Sequence, residues 1–212
     1  MSHVAAQEAG QLCVLAALLA PCAGPAAPEV ARQLILRFGS LRTLYSASAE
    51  ALRDALAGQG GANLAVVAAI VAARDLAEAA AREAMLGVPL DTGSEAFRRY
   101  LVARLGSRRE ECVLVVFCNV QGIYIAEDFY TGVRRTECLI PLRPTVRRAF
   151  DLDAHRVVLA HNHPSGAARP SSDDIAATLQ LRVVVEPLEI RLDDHCVVAG
   201  NHVASMKALG LL

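Results

Sequence analysis

Over the first 85 residues apolar side chains recur at helical spacing, and four alanine-rich stretches, 8–20, 28–38, 48–57 and 63–85, read as helices. Pro21, Gly24, Pro25, Gly39 and the GQGG at 58–61 punctuate them. The pattern predicts a small all-helical domain over 1–90, closed by a break near GVPLDTGSE at 87–95. After the break the period changes. Phe97, Leu101 and Leu105 keep helical spacing, and then short apolar runs begin at about 111 (ECVLVVFC) and 122 (GIYIAEDFY) that suit strands. RPTVRRAF, 143–150, places Pro144 near a helix N-terminus and leads into the strand-like HRVVLA at 155–160, so a helix feeds a sheet. The run LQLRVVVEPL at 179–188 is ambiguous, because its β-branched residues suit a strand as well as a buried helix.

Composition narrows the class. With 212 residues, 54% of them hydrophobic, the chain can bury one or two substantial cores. A formal charge of -1 argues against strong nonspecific affinity for DNA. The cysteines, at 13, 22, 112, 118, 138 and 196, sit mostly inside apolar runs without paired spacing, which suits free thiols in a reducing cytoplasm better than disulfides. QLCVLAALLA, 11–20, follows no basic region and is too short to span a bilayer, so it is expected to be a core helix with no membrane partner.

The chemistry concentrates in HNHPSGAARPSSDD, residues 161–174. Alternate side chains of an extended strand share a face, so His161 and His163 can reach one ion while Asn162 points the other way. Pro164, Ser165 and Gly166 then turn the chain. After seven intervening residues, Ser171 begins an SxxD pattern, and the apolar positions Ile175, Leu179 and Leu181 place Asp174 in the first turn of a helix. Asp174 there can be a third ligand, leaving a fourth position for water, as in catalytic zinc sites. Ser171 with Asp174 also reads as a helix capping box. The two readings are compatible. Asp173 is the substitute ligand if the helix register shifts, and otherwise serves the helix dipole. His155 and His202 have no partner spacing.

HxHPSG followed by SxxD, with DDHCVVAG at 193–200 and SMKALGLL at 205–212, resembles the RadC proteins of bacteria, whose JAB/MPN domain carries the JAMM metalloprotease signature. The resemblance implies an α/β fold of three layers over 95–212: a mixed, cytidine-deaminase-like sheet flanked by helices, preceded by the small all-helical domain. It also favours a helix continuing through the ambiguous run to about residue 185. The site it implies holds Zn2+ on His161, His163 and Asp174. Glu111, opening the first strand, is the implied acid/base, with Glu110 as the alternative on the opposite face of that strand. Ser171 is the implied oxyanion stabiliser. His195 matches a fixed position of the family pattern and is expected to be a packed, hydrogen-bonded imidazole. No CxxC is present, which disfavours deaminase chemistry.

Residues 34–56 resemble the N-terminal region of the same family, where helix-hairpin-helix elements usually follow. Such elements present backbone N–H groups to phosphates, but here the corresponding AGQGGANLAVV has no Lys or Arg. Arginine pairs at 98–99, 108–109, 134–135 and 147–148 are scattered rather than clustered. The function expected is therefore zinc-dependent amide hydrolysis on an unknown protein or peptide, with weak DNA association at most. The alternative is a DNA-associated accessory protein of repair, recombination or mobile elements without peptidase activity, and a third possibility is a scaffold that has lost catalysis.

Overall fold

The computed structural model describes residues 3–57, 63–132 and 140–212, with side chains from residue 9 onward. The chain divides into two compact units, Met1–Ala77 and Glu78–Leu212. The boundary falls within a helix.

The first unit contains α1 (His3–Ala23), α2 (Ala27–Phe38), α3 (Leu41–Tyr45), α4 (Ala49–Ala55) and most of α5 (Asn63–Glu83). Its core gathers Leu15 and Leu19 of α1, Val30 and Leu34 of α2, Leu44 and Leu52, and Val66 and Ile70 of α5. Gly39 ends α2 with φ of 80°, a left-handed cap that suits glycine. Ser40 and Ser48 cap α3 and α4, each accepting a backbone N–H three residues on. The five residues of α3 were not foreseen, because so short a helix carries no period to read. Taken through the 3-10 turn after α1, Ala9–Phe38 spans 30 residues and by length and composition is long and apolar enough to cross a membrane. That is longer than the run read from sequence. The GQGG turn at 58–61 and Cys138 lie outside the described residues.

The second unit is a mixed five-stranded sheet in the order β2-β1-β3-β4-β5. The strands are β1 (Cys112–Cys118), β2 (Tyr124–Thr131), β3 (Arg156–Asn162), β4 (Arg191–Ala199) and β5 (His202–Ser205). Only β3 and β4 run parallel, and the helix α8 (Ser172–Val185) connects them, as a parallel pair requires. Pro187 lies just beyond α8, and the β-branched run 183–185 is helical, which resolves the ambiguity in favour of the helix.

Alternation along the strands builds two cores. One face of the sheet, Leu114, Val116, Val158, Ala160, Cys196 and Val198, packs on Phe97, Tyr100, Leu101 and Leu105 of α6 (Glu95–Leu105). The other, Val113, Val115, Phe117, Val157 and Leu159, packs on Leu181 and Val185 of α8 and on Ala149 of α7 (Leu142–Asp151). Helices therefore cover both faces, giving three layers. Gly106 caps α6 where a Cβ would stand 2.3 Å from the Gly200 carbonyl, so only glycine lets the helix approach that turn so closely.

Candidate metal centre

The site forms where three chain segments end. β1 and β3 are antiparallel with Val113 opposite His161, so the start of β1 lies beside the end of β3. Period two then puts His161 on the α8 side of the sheet and turns Asn162 to the α6 side. The amide of His163 still bonds the Val198 carbonyl, which carries extended geometry one residue past β3. Beyond it the Gly166 amide closes a turn on the His163 carbonyl, and the loop returns to Ser171 at the mouth of α8.

At that mouth the capping box is complete. The Ser171 hydroxyl accepts the Asp174 amide at 3.1 Å, and Asp174 Oδ2 accepts both the Ser171 amide and the Ser171 hydroxyl at 2.7 Å. The box fixes the Asp174 side chain. Its other oxygen, Oδ1, lies 3.2 Å from His161 Nε2, and Oδ2 lies 3.2 Å from His163 Nε2. The two Nε2 atoms are 2.9 Å apart. Burial pushes the Asp174 carboxyl up, but the His161 hydrogen bond and charge, with the Ser171 donors, outweigh it and hold the group well below the usual carboxylate range.

Three donor atoms so gathered fit a zinc ion. Ligands about 2.0 to 2.1 Å from a tetrahedral centre stand about 3.3 Å from one another, close to the separations here. Two imidazoles and one carboxylate are also a usual donor set, and each imidazole nitrogen facing away from the site is held. His163 Nδ1 is 3.0 Å from the Ala167 carbonyl, and His161 Nδ1 is 2.8 Å from His195 Nε2. Among the described residues His161, His163 and Asp174 are the cluster able to hold a metal.

The small cavity in front of them is lined by Glu111, Cys112, Val113, Ile140, His161, Asp174 and His195. Glu111 is half-buried and immediately precedes β1, whereas Glu110 is exposed. Asp173 is exposed in the first turn of α8, away from the cluster. His155 lies at the opposite end of β3, and His202 is exposed at the start of β5. The Cys112 thiol, pushed up by burial, stays protonated beside the site.

Three neighbours have partners that spacing did not reveal. Asn162 holds the approach to Glu111: its Oδ1 accepts the Cys112 amide at 2.8 Å, and its Nδ2 donates to the Glu110 and Arg108 carbonyls at 3.0 and 3.2 Å. His195, on β4, is packed and hydrogen-bonded as expected, but it sits directly behind His161. Burial, with the neighbouring His161, keeps its imidazole pKa well below the ordinary value, so it is neutral. Thr178 contacts the free nitrogen of His195 at 2.5 Å. Thr178 follows Asp174 by four residues on α8, a spacing that puts both on one helix face.

Residues 91–211 match the model of the RadC-like JAB domain, more than half of the chain. The chain belongs to the RadC family. Relatives support this along nearly the whole length: it is 38% identical over 192 residues to a UPF0758 protein of Polaromonas sp. strain JS666, covering 89% of this chain and 83% of that one. A UPF0758 protein of Cupriavidus pinatubonensis is 36% identical over 89% of this chain and 81% of its own. One from Thioalkalivibrio sulfidiphilus is 38% identical over 90% and 83%. The sheet, its two helical layers and the His-His-Asp cluster thus belong to a RadC-like JAB domain.

Proposed function

We propose that this RadC-family chain is a zinc-dependent hydrolase of the JAMM type, cleaving amide bonds in a protein or peptide as a metallopeptidase or isopeptidase does. The observation that carries the reading is the convergence of His161 Nε2, His163 Nε2 and Asp174 on one point at the edge of a cavity that Glu111 also lines. Zinc, when bound, supplies a Lewis acid and brings the pKa of a water it holds to about 7. Glu111, lining the same cavity, would serve as the group that takes up a proton from an attacking water and passes it to a departing amine. Ser171 would turn its hydroxyl proton from Asp174 Oδ2 to the oxyanion that develops on the scissile carbonyl. Val113 and Ile140 line the cavity with apolar surface and limit water there. Free thiols at Cys112, Cys118 and Cys196 support a location in the bacterial cytoplasm.

The test is zinc stoichiometry in the purified chain, measured beside hydrolysis of a fluorogenic peptide library. One zinc per chain is expected, abolished by His161→Ala or His163→Ala. Equal zinc content in those variants and the wild type would show that the ion, if any, binds elsewhere.

A further inference from the structure

We propose that the site acts on acidic polypeptide segments, whose Asp and Glu side chains are bound by four arginines on the chain segments that frame it: Arg109, Arg143, Arg147 and Arg169. The proposal rests on the hydrolase reading above and names its substrate class.

Within Glu78–Leu212 most arginines already meet a carboxylate. Arg104, Arg108, Arg148, Arg156, Arg182 and Arg191 each lie within 3.5 Å of one. Arg109, Arg143, Arg147 and Arg169 are exposed and, among the described residues, make no ion pair or side-chain hydrogen bond. In sequence they look scattered, but the fold sets them about one place. Arg109 precedes Glu111 by two residues, where the chain passes from α6 into β1. Arg169 sits in the loop between His163 and Ser171. Arg143 and Arg147 belong to α7, which begins two residues after Ile140, a residue of the cavity wall.

The helix α7 leads from the cavity towards the start of β3, the end of that strand remote from His161. It buries Thr145 and Ala149. On its outer face Arg143, Arg147 and Phe150 follow at i, i+4 and i+7, and Phe150 is 60% exposed. The helix gains nothing from the two charges. Arg143 lies in the first turn, where the helix dipole disfavours a cation, and α7 has no acidic residue there. Like charges four residues apart also repel. An anionic ligand accounts for both. The Cβ atoms of such a pair stand about 5 to 6 Å apart, close to the step of about 6.6 Å between same-side residues of an extended peptide. Alternate carboxylates of an extended chain can therefore meet Arg143 and then Arg147, with an apolar side chain against Phe150.

The balance of charge favours a peptide over a nucleic acid. Glu110, Asp151 and Asp173 are exposed on the same segments and leave only a small positive excess. That suits separate guanidinium–carboxylate pairs, each able to be bidentate, rather than release of counterions along a phosphate backbone.

The experiment measures fluorescence anisotropy with the full chain and labelled probes of equal length: a peptide of Glu alternating with Ser, its Gln and Lys counterparts, and an oligothymidylate. The Glu peptide should bind about 10-fold more tightly than the Gln peptide, as two or more exposed ion pairs allow. Arg143→Gln with Arg147→Gln should remove that preference, and Lys207→Gln, exposed beyond β5, should keep it. Arg143→Glu with Arg147→Glu should bind the Lys peptide more tightly than the wild type does, a gain that misfolding cannot produce. Equal binding of the Glu and Gln peptides by the wild type would overturn the proposal, as would a preference that survives in the double Gln variant. Oligothymidylate binding more tightly than the Glu peptide would overturn it and assign the arginines to phosphates. One zinc per chain and peptide hydrolysis without any acidic preference would sink this inference alone, whereas an acidic preference in a chain that takes up no zinc would sink the hydrolase reading and leave the acidic-peptide surface standing.

Discussion

Glu110 and Glu111 stand side by side before β1, and burial distinguishes them: Glu111 lines the cavity, while Glu110 lies exposed. A general base acts on water without ligating the ion, so zinc content and turnover should separate at Glu111. Glu111→Gln keeps the size and the hydrogen-bonding reach but cannot take the proton, and the expected loss in rate is about 10² to 10⁴ with zinc retained. Glu110→Gln should leave both intact. Asp174→Asn should lower both, since it removes a charged ligand and alters the capping box that aims it. Metal analysis and peptide hydrolysis for the three variants side by side are the measurement, and activity kept in Glu111→Gln but lost in Glu110→Gln would reverse the assignment. His161, His163 and Asp174 were legible because period two in a strand and the first turn of a helix are local rules. The contact between His161 and His195 was not. It joins residues 34 apart through the β3–β4 register, which pairs Leu159 with His195, and nothing in either segment alone specifies that alignment.

Between elements, the residue that separates His161 from His163 ties two strands together. Asn162 makes three hydrogen bonds from β3 to the segment that carries Glu111, and it takes the Cys112 amide where the β1–β3 ladder ends. Asn162→Ala would leave the Cys112 amide and two carbonyls to find other partners. At roughly 1 kcal/mol per hydrogen bond, and more for a group left buried and unpaired, the expected loss is about 2 to 4 kcal/mol in unfolding free energy. Amide exchange in the stretch 108–112 should rise with it. A variant with wild-type denaturation and unchanged exchange would show that the clamp is incidental. The same element scale explains what could be read in advance. The capping box marked the start of α8, the family resemblance carried it to about residue 185, and short apolar runs marked β1 and β3. Strand order was not available from pattern: β1 lies between β2 and β3, and only β4 runs parallel to its neighbour β3, an arrangement set by which faces the helices bury.

At the scale of the whole molecule, charge decides how the chain meets nucleic acid. Twenty-one basic residues balance twenty-two acidic ones, and within each unit many of the arginines already have a carboxylate partner. Arg32 pairs with Glu29, Arg99 with Glu95, Arg104 with Glu78 and Glu127, Arg148 with Asp128, and both Arg156 and Arg191 with Asp193. An arginine engaged in this way must give up its partner before it can release counterions from a phosphate backbone, so its contribution to DNA affinity is reduced. The sequence GQGG at 58–61, which aligns with the phosphate-binding hairpin of the family resemblance, contains no cation. We therefore expect double- and single-stranded DNA to bind weakly, near the 10⁻⁴ M end of the range for nonspecific binding at physiological salt. Binding of labelled duplexes by fluorescence anisotropy, from about 50 to 200 mM salt, should fall away steeply across that interval. Tight, sequence-selective binding that persists at physiological salt would mean that base contacts, rather than bulk charge, drive association, and the DNA-associated reading would then displace the hydrolase as the primary function.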